Sequence, residues 1–198
     1  MRGKFIKFLM VPIVALALSA CGINSVPTAE EQAKAKWADV ESSYQRRADL
    51  IPNLVATVKG FATQEQDTLT AVVEARAKAT SIQVSANDLG DASKIQEFAA
   101  AQGALSQGLG RLMATVEAYP DLKSNQNFLA LQSQLEGTEN RINVARRDYN
   151  EAVRQYNTTI RTFPDIIGAK IIHGAEPMAP FKATSEGADE APTVDFNG

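Results

Sequence analysis

A seven-residue repeat between Phe128 and Phe163 constrains this chain more than any other feature. Steps of seven from Phe128 land on Leu135, Ile142, Tyr149, Tyr156 and Phe163, while a companion row, Leu131, Thr138, Ala145, Ala152 and Thr159, is mostly small. Large apolar residues at this spacing draw one seam along an α-helix. No proline and a single glycine, Gly137, fall inside the span, so a helix of about 54 Å is expected at about 1.5 Å per residue. Val153 and Ile160 widen the stripe toward its C-terminal end, which favours a globular bundle over a two-stranded rod. The pattern predicts an all-α fold: an antiparallel up-and-down bundle of about four long helices.

The outward face of this helix is regular too. Asn143, Asn150 and Asn157 recur by seven, as do Arg147, Arg154 and Arg161. One reading is a solvated face with weak surface pairs around Glu151. The other is an exposed interaction ridge, because Asn and Arg make directional and bidentate hydrogen bonds to carboxylate-rich surfaces or lipid phosphates.

Thr28 and Glu31 form a capping box, after which Ala33, Trp37, Val40, Tyr44 and Ile51 mark a first helix. The apolar phase continues past Pro52 through Leu54, Val55, Val58, Phe61, Leu69 and Val72. This predicts one long helix kinked at Pro52 and ending near Thr80, with a break into two helices as the alternative. Ser81 to Gly90 reads as a loop. Asp91 or Ser93 then caps a helix with the stripe Ile95, Phe98, Leu105, Leu109, Leu112 and Val116. Gly103, Gly108 and Gly110 in that helix, each unfavourable relative to Ala, predict close approach of a neighbour. Tyr119-Pro120-Asp121 ends it. Beyond Phe163, Pro164 stops the central helix and Asp165 to Ile172 reads as a short helix. His173 reads as a surface histidine, and residues 174–198, rich in Pro, Glu, Ser and Gly, read as a flexible tail.

Residues 1–20 read as a signal peptide, with Arg2, Lys4 and Lys7 before the apolar run Phe8 to Leu18. That run is shorter than the roughly 20 residues of a spanning helix, so an uncleaved anchor helix is the weaker alternative. Leu18-Ser19-Ala20-Cys21 resembles a bacterial lipobox, which implies lipidation of Cys21, palmitate included, as the mature N-terminus. Residues 21–27 would then be a lipid-anchored linker, residues 28–173 the bundle and 174–198 the tail. Gly22, a residue other than Asp after the cysteine, implies an outer-membrane lipoprotein facing the periplasm if the host is Gram-negative.

Removing Arg2, Lys4 and Lys7 from the 20 basic residues leaves 17 against 23 acidic, a net charge of −6. Such a balance argues against nucleic-acid binding. One Cys and one His leave no material for a disulfide framework, a zinc site or a histidine-based catalytic set, and no cofactor is expected.

Several longer motifs carry a family resemblance. They are Arg46-Arg47-Ala48-Asp49-Leu50-Ile51-Pro52-Asn53-Leu54-Val55 with Val58-Lys59-Gly60-Phe61-Ala62, then Glu117-Ala118-Tyr119-Pro120-Asp121-Leu122-Lys123. Thr138-Glu139-Asn140-Arg141-Ile142, Ala145-Arg146-Arg147-Asp148-Tyr149-Asn150, Phe163-Pro164 and Pro192-Thr193-Val194-Asp195-Phe196 follow in order. Together they resemble the LemA family, and the resemblance covers nearly all of the mature chain. It implies a membrane-anchored helical bundle and supplies no catalytic residues. Members of that family often keep an N-terminal transmembrane helix, from which this sequence departs by its lipobox. A more distant likeness to magnetosome-membrane relatives implies a role in membrane organisation.

Function therefore divides into two readings. In the first, the chain is a non-catalytic scaffold or interaction protein of the bacterial cell envelope, its partners the bilayer and an envelope protein or anionic lipid, with self-association left open. In the second, polar clusters at Arg46, Asp49 and Asn53, or at Glu139, Asn140 and Arg141, line a ligand-binding or enzymatic pocket. Pairing of such groups across helices would favour the first; shared access to a solvent-open pocket would favour the second.

Overall fold

The computed structural model describes the backbone of residues 2–182 and the side chains of residues 23–182. Among the described residues six α-helices follow one another: α1 (Arg2–Lys59), α2 (Gln66–Ser81), α3 (Ala92–Val116), α4 (Pro120–Lys123), α5 (Gln126–Thr159) and α6 (Asp165–Gly168). A 3₁₀ turn at Ala86–Asp88 lies between α2 and α3, and a π-helical turn, Ala169–His173, extends α6. The long helices alternate in direction, because Trp37 meets Tyr149 and Arg47 meets Glu139 across α1 and α5, while Ala79 lies level with Gln102 across α2 and α3. The all-α, up-and-down bundle is the observed architecture.

Side-chain caps start two of the long helices, one at the expected Asp91 and one at Asn125. Asp91 Oδ1 accepts from the backbone N–H groups of Ser93 and Lys94 at 2.9 and 3.3 Å and opens α3. Asn125 Oδ1 does the same for Asn127 and Phe128 at 3.0 and 3.1 Å and opens α5. Each satisfies donors that a helix start leaves without an intrahelical partner. On α5 the heptad residues Phe128, Leu135, Ile142, Tyr149 and Tyr156 are buried, as are Val153 and Ile160. Phe163 departs from the expectation: α5 ends at Thr159, the peptide before Pro164 is cis, and the Phe163 ring is 69% exposed.

α1 corrects the sequence reading at both of its described prolines. The segment expected as a linker, through Pro27, is helical, and Thr28 sits inside the helix with its hydroxyl donating to the Asn24 carbonyl at 2.6 Å. The helix also runs through Pro52 and stops at Lys59, so the break falls between Gly60 and Glu65 and α2 is a separate helix. A helical proline removes the N–H that would bond the carbonyl four residues earlier. For Pro27 that carbonyl is Ile23, and His173 Nε2 lies 3.2 Å from it. For Pro52 it is Ala48, which accepts from Arg76 Nε of α2 at 2.7 Å. Both orphaned acceptors are thus met by side chains from other elements.

The core falls into two clusters. One gathers Val26, Trp37, Tyr44, Phe98, Ile142, Tyr149 and Tyr156 along the middle of α1; the other gathers Ile51, Leu54, Val58, Val72, Leu105, Leu112, Leu122, Phe128 and Leu135. α2 lines only the second, since its last buried residue, Ala79, is already level with Gln102. Over the first cluster its place is taken by the loop after α2 and by the segment after His173, through Val84, Leu89, Met178, Ala179 and Phe181. The tail expected to be flexible from residue 174 therefore packs as far as Phe181, and residues 183–198 lie outside the described residues. The glycine expectation holds at Gly108, where an added Cβ would meet Val72 at 3.6 Å; at Gly110 it would meet nothing within 4 Å.

Candidate functional site

Arg47 is the least expected buried group in the bundle. It lies on the inward stripe of α1, Trp37, Val40, Tyr44, Arg47, Ile51, Leu54, and is 2% exposed. Its guanidinium reaches two other helices. Nη1 donates to Ser106 Oγ at 2.7 Å and to Glu139 Oε2 at 3.1 Å, and Nη2 donates to Gln102 Oε1 at 2.8 Å and to the Gln102 carbonyl at 3.1 Å. The Tyr44 ring lies 5.0 Å from the guanidinium carbon. Gln102 Nε2 extends the network by donating to the Ala79 carbonyl at 3.2 Å, which brings in the end of α2. Among the described residues Arg47 Nε alone is buried without an acceptor.

This layer separates the two core clusters, and every long helix touches it. Taking a guanidinium out of water is costly, and here one carboxylate, a hydroxyl and two oxygens of Gln102 offset the cost. Glu139 is only half-buried, so the layer opens to solvent on one side, where Arg146 and Phe181 help to line a cleft of about 250 Å³. Burial pushes the Tyr44 phenol above its ordinary range, with the positive charges of Arg146 and Arg47 opposing. What this arrangement does well is fix the relative height of α1, α3 and α5.

The Asn row on α5 has a definite occupant over part of its length. Asn157 Nδ2 donates to the Met178 carbonyl at 2.8 Å while its Oδ1 accepts from the Met178 N–H at 2.9 Å. Asn150 repeats the arrangement with Phe181, at 2.9 and 2.7 Å. Seven helical residues advance about 10.5 Å and three extended residues about 10 Å, so a heptad on α5 matches a three-residue step on the antiparallel strap, residues 175–182. Tyr149 Oη donates to the Ala179 carbonyl at 2.9 Å, Tyr156 Oη to the Glu176 carbonyl at 3.0 Å, and the Ala179 N–H to the Leu89 carbonyl at 2.8 Å. Arg146 stacks over the Phe181 ring at 4.4 Å.

The other residues singled out by the sequence lie on the surface or in separate surroundings. Asn143, Arg147, Arg154 and Arg161 are exposed; Arg154 forks onto Glu151 within its own helix, and Arg147 Nη2 lies 3.6 Å from Asp148. Arg46, Asp49 and Asn53 are exposed and form no shared pocket; Asp49 accepts from Gln45 on the same helix at 2.7 Å. Of Glu139, Asn140 and Arg141, only Glu139 joins the buried layer, while Asn140 and Arg141 line a separate shallow surface cleft with Asp39 and Asp148. Sequence reasoning chose Arg46 of the Arg46-Arg47 pair and passed over Gln102 and Ser106. The signal for Arg47 was present in the three-and-four spacing that also places Trp37, Tyr44 and Ile51 inward. Among the described residues no group of three or more His, Cys, Asp or Glu side chains could hold a metal ion. Cys21 and residues 1–20 lie outside the described side chains.

The LemA family profile matches residues 36–196, a stretch that contains the Arg47 layer, all of α5 and the strap. The chain belongs to the LemA family. As a LemA family chain it is 32% identical over 158 residues to magnetosome protein MamQ 2 of Paramagnetospirillum magneticum, covering 71% of this chain and 58% of that protein. It is 28% identical over 157 residues to magnetosome protein MamQ of Magnetospirillum gryphiswaldense, covering 71% and 58%. With protein LemA of Metamycoplasma hominis it shares 24% identity over 124 residues, covering 63% and 52%. The chain thus spans little more than half the length of these relatives. Among the described residues no helix is long and apolar enough to cross a membrane.

Proposed function

We propose that this LemA family chain is a non-catalytic helical scaffold of the bacterial cell envelope, held at the bilayer through Cys21, with an organising role in the membrane. The observation that carries the reading is the fate of the polar groups: Arg47, Gln102, Ser106 and Glu139 bond one another across α1, α3 and α5. Groups with the chemistry to line a reactive pocket are engaged in tying helices together. The Asn150 and Asn157 amides are likewise engaged by the chain's own strap. Relatives named as magnetosome proteins add support for a membrane-associated role. Lipid at Cys21 and delivery to an outer membrane rest on the lipobox-like quartet and on Gly22.

On this reading the free contact surface is the row Arg147, Arg154 and Arg161, suited to a carboxylate-bearing protein of the envelope. Two variants test the proposal. Cys21→Ala should be unprocessed or released from the membrane; normal processing with retention after a carbonate wash would contradict lipid anchoring. Replacing the three arginines together by Gln should leave melting nearly unchanged while making capture of the envelope partner weaker and salt-sensitive. Unfolding of that triple variant, or undiminished capture, would remove the row from the contact surface.

A further inference from the structure

The end of the bundle at which α1 enters carries an apolar surface that the fold does not cover. Phe163, Ile167 and Ile171 follow one another at steps of four and are 69%, 46% and 79% exposed; Ile172 and Ile23 beside them are 57% and 42% exposed. On the opposite side of this helical segment Gly168 and Ala169 are buried against α1. The segment is fastened there by Ser25 Oγ donating to Asp165 Oδ1 at 2.5 Å and by His173 at the Ile23 carbonyl. Its inner face is thus fixed, while Phe163, Ile167, Ile171 and Ile172 of this segment and Ile23 of α1 turn apolar surface to solvent. Exposed Arg161 and Lys170 flank them, while the nearby carboxylate of Asp165 is turned inward to Ser25.

What covers this face follows from its position. The apolar run Phe8 to Leu18 precedes Ile23 in the same helix, α1, so any anchor supplied by the N-terminal segment, acylated or not, brings the bilayer to the end of the bundle where Ile23 and His173 meet. Hydrophobic side chains on one face with basic residues at the rim match an interfacial helix, whose apolar face sinks about 5–10 Å into the headgroup and acyl boundary. We infer that Phe163, Ile167, Ile171, Ile172 and Ile23 form a second membrane contact, a monotopic seat in the lipid interface that holds the bundle upright on its anchor. Two attachments, one through the N-terminal segment and one through this seat, fix the bundle's orientation as a single flexible tether would not. The inference rests on the bilayer-tethered reading above.

The test uses the full chain reconstituted on vesicles of phosphatidylethanolamine and phosphatidylglycerol, some containing brominated acyl chains. Trp37 is buried and gives a constant background emission. Ile171→Trp should show an added, blue-shifted emission that brominated lipid quenches severalfold more than the emission added by Val144→Trp, a half-exposed position on the side of α5. Equal quenching at the two positions, with the protein still floating with the vesicles, would overturn the seat and leave the anchor standing. Failure of the wild-type chain to float would instead overturn the anchored reading. A blue shift in the Ile171→Trp variant without bromine quenching, together with a dimer in sedimentation, would show a second copy on this face and also overturn the seat.

Discussion

The two ends of the bundle are held together by different means. The end that holds the Val26 to Tyr44 stretch of α1 is aromatic: Trp37 meets Tyr149 and Phe98 at ring-centroid distances of 5.1 and 5.5 Å, and Phe181 from the strap lies 6.4 and 6.3 Å from Trp37 and Phe98. Its polar side chains are matched to backbone, Trp37 Nε1 to the Val84 carbonyl at 2.9 Å and two tyrosine hydroxyls to the strap. The far end is mostly aliphatic, built on Ile51, Leu54, Leu105, Leu112 and Leu122 with Phe128 among them. Aliphatic packing between four helices needs shape alone. The aromatic end, which α2 does not reach, needs non-helical chain to complete it, and hydrogen-bonding aromatic side chains hold such chain in place.

The largest expected effects come from truncating each core. Trp37→Ala should cost about 3–5 kcal/mol and Leu112→Ala about 2–5 kcal/mol. The first should also raise hydrogen exchange at Met178 and Phe181, whereas the second should leave those amides as protected as before. Loss of strap protection in both variants would show that the two ends do not behave separately. Next in size, Asn150→Ala and Asn157→Ala should each cost about 1–2 kcal/mol through the lost hydrogen bonds, with exchange rising in the strap and not in α2 or α3. Unchanged exchange at Met178 and Phe181 in the double variant would mean that Phe181 packing alone holds the strap.

A smaller contrast is expected in base. Burial holds the phenols of Tyr149, Tyr44 and Tyr156 above their ordinary value of 10.0. A group whose pKa is raised on folding contributes stability that is complete below the unfolded pKa and declines as pH rises through the folded one. Stability should therefore fall above about pH 10, beginning in the aromatic end. Tyr149→Phe should reduce that decline while losing the bond to the Ala179 carbonyl, which a melting series from neutral pH into base will show. A decline of the same size in Tyr149→Phe would place the alkaline sensitivity elsewhere.

Legibility in the sequence followed the same division. The α5 seam and the α3 stripe were readable because their periodicity is local and their burial is decided by helix geometry. Pro27 and Pro52 misled because the carbonyls they orphan are met by His173 and Arg76, residues 150 and 28 positions away from those carbonyls. The strap was missed for a related reason. Its Pro and Glu content reads as disorder, and its order comes from Asn150, Asn157 and Tyr149 on another element. The heptad spacing of the asparagines reads as an exposed ridge for a partner, whereas Asn150 and Asn157 are occupied by the chain's own C-terminal segment.

If the polar layer between the two ends is a structural tie and not a binding centre, Arg47→Met is the decisive variant. The substitution keeps the apolar bulk of the stem and leaves Gln102 Oε1 buried without its donor, a loss of about 1–3 kcal/mol, with a fall in Tm of about 2–4 °C per kcal/mol. Thermal unfolding of the full chain should show that fall. A variant that melts at or above the wild-type temperature would refute the tie as a net stabilising element, because the cost of taking the guanidinium out of water would then exceed what its partners return.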